Sequence, residues 1–129
     1  MFPSILYIMP LPLITELPNL QSFSDLLQKN PGLVIIKFGA EWCGPCKKIE
    51  GLVNTWFEKM PDTVQSVIID VDECFEVYGF LKTKKRVNGI PVILCYYKGN
   101  YNYIQDDAVI GADEKQVNLF FERCLSKCT

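Results

Sequence analysis

A chain of 129 residues with 49% apolar side chains is sized for one compact domain around a single core. Its net charge of -2 argues against partners held by bulk electrostatics, such as nucleic acid or an anionic membrane surface. The absence of histidine excludes more: no Ser-His-Asp or Cys-His catalytic pair and no histidine-ligated zinc, so chemistry near neutral pH falls to cysteine, lysine, carboxylate or tyrosine.

Residues 1–12 read as an apolar N-terminal extension, with the domain proper at 13–129. The extension has no Lys, Arg or small-residue cleavage site, and its prolines interrupt any helical run, so it makes a poor signal peptide and is too short to span a bilayer. Leu13 to Leu17 is a short strand candidate closed by Pro18. A helix is predicted from Ser22 to Lys29, with Ser22 and Asp25 as a partial capping box and Asn30-Pro31-Gly32 as its stop. Leu33 to Phe38 has the β-branched, apolar character of a strand buried on both faces, and it runs straight into Trp42-Cys43-Gly44-Pro45-Cys46. Ile49, Leu52, Val53, Trp56, Phe57 and Met60 then recur at helical spacing until Pro61.

Ser66 to Val71 is a second buried strand. Glu73 to about Lys85 is a helix ending in the basic run Lys82-Thr83-Lys84-Lys85-Arg86, where cations suit the helix dipole. Val92 to Tyr97, the turn Lys98-Gly99-Asn100 and Tyr101 to Ile104 read as a β-hairpin whose tyrosines pair and pack. After Gly111 a last helix starts near Asp113, with Gln116 able to complete its cap. The order βαβαβα followed by ββα makes an α/β three-layer sandwich with mixed strand directions.

The chemistry centres on Cys43 and Cys46. A thiolate is the nucleophile in disulfide exchange, so a working cysteine needs a lowered pKa and an exposed sulfur. Cys43 sits where a buried strand ends and an amphipathic helix begins, and the unpaired N–H groups and dipole there favour negative charge. Pro45 fits the first helical turn, and Cys46 falls one turn along. A lone C-x-x-C also reads as half of a zinc knuckle. The other closely spaced pair, Cys124 and Cys128, lies on the apolar face of a helix, which favours redox chemistry over metal.

Phe38-Gly39-Ala40-Glu41-Trp42-Cys43-Gly44-Pro45-Cys46-Lys47 resembles the active-site signature of thioredoxins, and Val87-Asn88-Gly89-Ile90-Pro91-Val92 resembles the family's cis-proline segment. The resemblance runs from about Leu13 to Lys127. It implies the thioredoxin fold, a three-layer α/β/α sandwich around a mixed five-stranded sheet. It further implies Cys43 as attacking thiol, Cys46 as resolving thiol and a cis Pro91. Trp42, Gly44, Pro45, Gly89, Ile90, Pro91 and Gly111 would line the groove for a protein disulfide, with the Ile90 backbone pairing to it as a strand would. The implied activity is protein-disulfide reduction in the cytoplasm by a monomer or weak dimer. It needs no cofactor or metal beyond the Cys43–Cys46 disulfide, and a separate dithiol reductase regenerates it. No nucleic-acid or membrane partner is expected. The alternatives are a non-catalytic binding module on the same fold, or an oxidase or isomerase.

Three departures from the family pattern stand out. Lys37 occupies the place of a buried aspartate six positions before the first cysteine. As a cation it would stabilise thiolate, favour the reduced protein and raise the reduction potential; as a neutral amine it would act as a base; as a lysine snorkelling to the surface it would do neither. Gly51 stands where a kinking proline is usual, and the stretches between Cys46 and Pro91 and between Pro91 and Gly111 are a few residues longer. The added residues around Cys74 to Lys85 would lie beside Pro91 and reshape partner recognition. Of the remaining cysteines, 74, 95, 124 and 128, burial is expected, with Cys74 the best candidate for exposure.

Overall fold

The computed structural model describes residues 9–128, so most of the expected N-terminal extension and Thr129 lie outside the described residues. The elements in chain order are α1 (Leu20–Gln28), β1 (Leu33–Gly39), α2 (Gly44–Glu58), β2 (Val64–Asp70), α3 (Phe75–Thr83), β3 (Val92–Tyr97), β4 (Asp107–Ile110) and α4 (Glu114–Ser126).

The strands form one sheet in the order β2-β1-β3-β4. β1 runs parallel to β2, in register from Leu33 opposite Val64 to Gly39 opposite Asp70, and antiparallel to β3; β4 pairs antiparallel with β3. All seven residues of β1 are buried, as its continuous apolar run requires of a central strand. Its side chains alternate between two cores. Val34, Ile36 and Phe38 pack with Phe23, Leu26 and Leu27 of α1 and Val77 and Leu81 of α3. Leu33 and Ile35 pack on the opposite face with Ile49, Val53 and Phe57 of α2 and Phe120 and Phe121 of α4. Helices on both sides of the sheet make the three layers.

The sheet has four strands and not the expected five. Leu13 to Leu17 contributes a single parallel bridge, Ile14 to Val67. Ile14 N–H donates to Ser66 O at 3.2 Å and Ile68 N–H to Ile14 O at 2.9 Å, but Pro12 and Pro18 have no N–H to extend the ladder, and Leu17 turns into the core at 3% exposure.

The expected strand Tyr101 to Ile104 is a loop, and the partner of β3 starts at Asp107. Here short polar side chains take over the backbone: Asn100 Oδ1 accepts from Asn102 N–H at 2.9 Å, and Asn102 Oδ1 from Ile104 N–H at 2.8 Å. Such local bonds fold the chain into turns and compete with pairing. The tyrosines therefore do not form a cross-strand row. Tyr96 is buried and its hydroxyl donates to Tyr103 O at 2.7 Å, whereas Tyr101 is exposed.

The first helix begins at Leu20, and its cap is Asn19 rather than Ser22. Asn19 Oδ1 accepts from Ser22 N–H at 2.9 Å while Ser22 Oγ accepts from Asn19 N–H at 3.3 Å, a reciprocal box in which Asp25 has no part. Asn19→Ala is expected to lower stability by about 1 kcal/mol. The midpoint of urea unfolding checks this, and an unchanged midpoint would contradict it.

Candidate active site

The site is assembled at one end of the sheet, where β1 ends and α2 begins. Cys43 is the N-cap of α2: its backbone is extended, and its Sγ accepts from Cys46 N–H at 3.1 Å. Pro45 lies in the first helical turn, where its missing N–H removes no internal bond. Cys43 and Cys46 are joined as a disulfide, with Cα atoms 5.2 Å apart. The helix dipole and free N–H groups point at this pair.

The facing wall comes from the segment before β3. The Ile90–Pro91 peptide bond is cis, and Gly89 has φ of +120°, a backbone region that favours glycine. Ile90 O lies 3.9 Å from Cys43 Sγ, and Gly111 N–H donates to Pro91 O at 2.9 Å. On the other side of the dithiol, the Trp42 indole is 70% exposed and its Nε1–H donates to Asp72 at 2.7 Å. The structure thus gathers Trp42, Cys43, Gly44, Pro45, Cys46, Gly89, Ile90, Pro91 and Gly111 at one edge. Phe75, the first residue of α3, and Ile110, next to Gly111, are 72% and 76% exposed.

Cys43 departs from expectation in one respect. With the disulfide closed the residue is only 4% exposed, because the Cys46 sulfur covers one side of Sγ and the Ile90 carbonyl another. Its flanking residues Trp42, Gly44 and Pro45 are exposed.

Behind the disulfide lies a cleft of about 460 Å³, lined among others by Lys37, Cys46, Glu50, Asp70 and Glu73. Lys37 is 6% exposed, and among the described residues its ammonium forms no ion pair or hydrogen bond. Burial pushes its ammonium below the ordinary lysine value, and the Glu50 carboxylate on α2 works against that fall. The unfolded chain therefore binds the proton more tightly, so this burial penalty is full below the depressed value and is relieved as pH rises from there toward 10.5. Gly39 shows how close the groups are: a Cβ there would sit 3.4 Å from Cys46 Sγ and 4.0 Å from Lys37 Cε. Gly51 leaves α2 unbroken from Gly44 to Glu58.

Three residues that matter here escaped the sequence patterns: Asp72, Glu50 and Tyr78. Asp72 holds Trp42 from 30 positions away. The Tyr78 hydroxyl on α3 accepts from Gly89 N–H at 3.0 Å. No spacing signals either contact. Of the other cysteines, 74, 95 and 124 are buried and Cys128 is half-buried, so Cys128 rather than Cys74 is the most accessible. Cys74 packs against the α1/α3 core as the residue before α3, while Cys128 follows the end of α4. Among the described residues no three His, Cys, Asp or Glu side chains converge to hold a metal ion, and no helix is long and apolar enough to cross a membrane.

Fold and site together define a redox-disulfide protein: a Cys-Gly-Pro-Cys pair at a helix N-terminus, facing a cis-proline on a mixed sheet. A family model described as Thioredoxin matches residues 15–120. This chain belongs to the thioredoxin family. It is 39% identical over 79 residues to the thioredoxin of Bacillus subtilis, covering 61% of this chain and 70% of that one. It is 32% identical over 78 residues to the chloroplastic thioredoxin Y2 of Arabidopsis thaliana, covering 60% of this chain but only 44% of that protein's length. The crystal structure of reduced Schistosoma mansoni thioredoxin is similar at a TM-score of 0.67 and 26% identity, over 88% of this chain and 98% of that one.

Proposed function

We propose that this chain is a thiol–disulfide oxidoreductase that reduces protein disulfides in the cytoplasm, with Cys43 as attacking thiol and Cys46 as resolving thiol. The observation that carries this reading is the position of Cys43 Sγ: at the N-cap of α2, bonded to Cys46 and 3.9 Å from Ile90 O beside the cis Pro91. In the reduced protein the Cys43 thiolate attacks one sulfur of a substrate disulfide, forming a mixed disulfide and releasing the other substrate sulfur as a thiolate that takes a proton. Cys46 then loses its proton and attacks Cys43 Sγ, closing the 43–46 disulfide and releasing the second substrate thiol. The protein gives up two electrons per cycle, and a separate dithiol reductase returns them.

Trp42, Gly44, Pro45, Gly89, Ile90, Pro91 and Gly111 form the docking groove, and the Ile90 backbone offers a strand-like edge to an extended substrate segment. No cofactor beyond the disulfide takes part. Lys37 beside Cys46 supports a second direction, oxidase or isomerase work, because an ammonium there would stabilise thiolate in the reduced form of the couple.

Insulin reduction by dithiothreitol tests the reading. The protein is expected to accelerate precipitation of the freed insulin chains well beyond dithiothreitol alone. No acceleration would overturn the catalytic reading in favour of a binding module, and efficient refolding of scrambled ribonuclease with poor insulin reduction would favour the isomerase.

A further inference from the structure

We propose that Tyr78 is a positioning residue for the substrate groove, its hydroxyl fixing the backbone edge on which a protein disulfide docks. This rests on the dithiol and groove reading above and goes beyond it by assigning the groove a support on α3.

The segment between α3 and β3 is irregular. Lys85 has φ of +61°, Gly89 has φ of +120°, and the Ile90–Pro91 bond is cis. Its ends are held by backbone bonds, Arg86 N–H to Leu81 O at 2.8 Å and Gly111 N–H to Pro91 O at 2.9 Å. Between them the Gly89 amide is held by a side chain, the Tyr78 hydroxyl, which accepts from it at 3.0 Å. Val87, two residues before, and Ile90, directly after, pack on the core, while the exposed Gly89 has no side chain and its amide is fixed by this bond. The next residue, Ile90, presents the carbonyl that lies 3.9 Å from Cys43 Sγ.

Tyr78 is itself held from two sides. Its ring packs on Phe38, with centroids 5.5 Å apart, and Phe38 is fully buried on β1 just ahead of the Cys43 loop. Its helix is anchored by the buried Val77 and Leu81, and Glu76 accepts from Leu20 N–H at 2.9 Å. One side chain therefore links the strand that leads to Cys43 with the loop that faces it. A groove held in its binding geometry spares the substrate the ordering that a loose loop would require. A protein substrate that pairs with the Ile90 backbone depends on this, whereas a small aromatic disulfide needs only the Cys43 sulfur.

Tyr78→Phe keeps the ring against Phe38 and removes the hydroxyl. Steady-state reduction of insulin driven by dithiothreitol, and single-turnover reduction of 5,5′-dithiobis(2-nitrobenzoate) by the prereduced protein freed of dithiothreitol, are compared with wild type, and exchange of the Gly89 amide is followed by NMR. The expected result is a KM for insulin raised about fivefold, the equivalent of one neutral hydrogen bond. The kcat should stay within about twofold, the small disulfide should be reduced at the wild-type rate, and the Gly89 amide should exchange faster. An unchanged KM for insulin, an equal loss on both substrates, or unchanged exchange at Gly89 overturns the proposal while wild-type activity leaves the dithiol reading standing. A wild-type protein that reduces no insulin sinks both.

Discussion

Cys43→Ser is expected to lower turnover of a protein disulfide on the order of a thousandfold or more, because a serine hydroxyl does not attack sulfur as a thiolate does. The loss should be chemical and not structural. Serine is a favoured N-cap residue and can keep the start of α2 that Cys43 now caps, so the thermal unfolding of the reduced proteins should be similar. Cys46→Ser is expected to behave differently. It leaves the attacking sulfur in place and removes the one that releases substrate, so a stoichiometric mixed disulfide should accumulate with a protein disulfide. Non-reducing electrophoresis and peptide mapping check this. An adduct on Cys46 of the Cys43→Ser variant, forming as fast as one on Cys43 of the Cys46→Ser variant, would reverse the assigned roles.

The second large effect is expected at Lys37. Its side chain lines the cleft that Cys46 borders, so in its charged form it should favour the Cys46 thiolate and hence the reduced protein. Lys37→Asp replaces that cation by an anion and should lower the reduction potential by about 30 mV or more, a tenfold or larger change in the exchange constant. Equilibration with glutathione buffers measures it. Lys37→Met, which removes charge and keeps length, should fall between wild type and the aspartate variant. A lysine whose ammonium only reaches solvent along the cleft would give no change. Equal potentials in all three proteins would remove Lys37 from the redox mechanism.

The parts of the fold that were legible in the sequence are those whose burial is set by their own residues. The run from Leu33 to Phe38 has one fitting environment, the middle of a sheet, and the stripe from Ile49 to Phe57 has one face to bury. The dithiol and the cis-proline segment were legible because short motifs hold their residues together before any folding. What was not legible depends on contacts between distant segments or on polar side chains with several uses. Tyr-Asn-Tyr-Ile alternates like a strand, yet Asn100 and Asn102 spend their oxygens on the backbone and delay pairing until Asp107. Asn19 and Ser22 are both able caps, and the choice falls to Asn19 because each satisfies the other's N–H. Tyr78 meets Gly89 across a turn whose path the sequence does not specify, and Glu50 acts on Lys37 only once helix and strand have packed.

The sulfur of Cys43 is both the cap of α2 and the attacking atom of the proposed reaction. Its hold on the Cys46 amide strengthens when it carries negative charge and weakens when its electrons are drawn into a bond with substrate. The 43–46 disulfide still holds that amide at 3.1 Å, so the cap persists in the oxidised protein and tightens as charge gathers on the sulfur. Each round of the proposed cycle would therefore flex the start of the helix without undoing it.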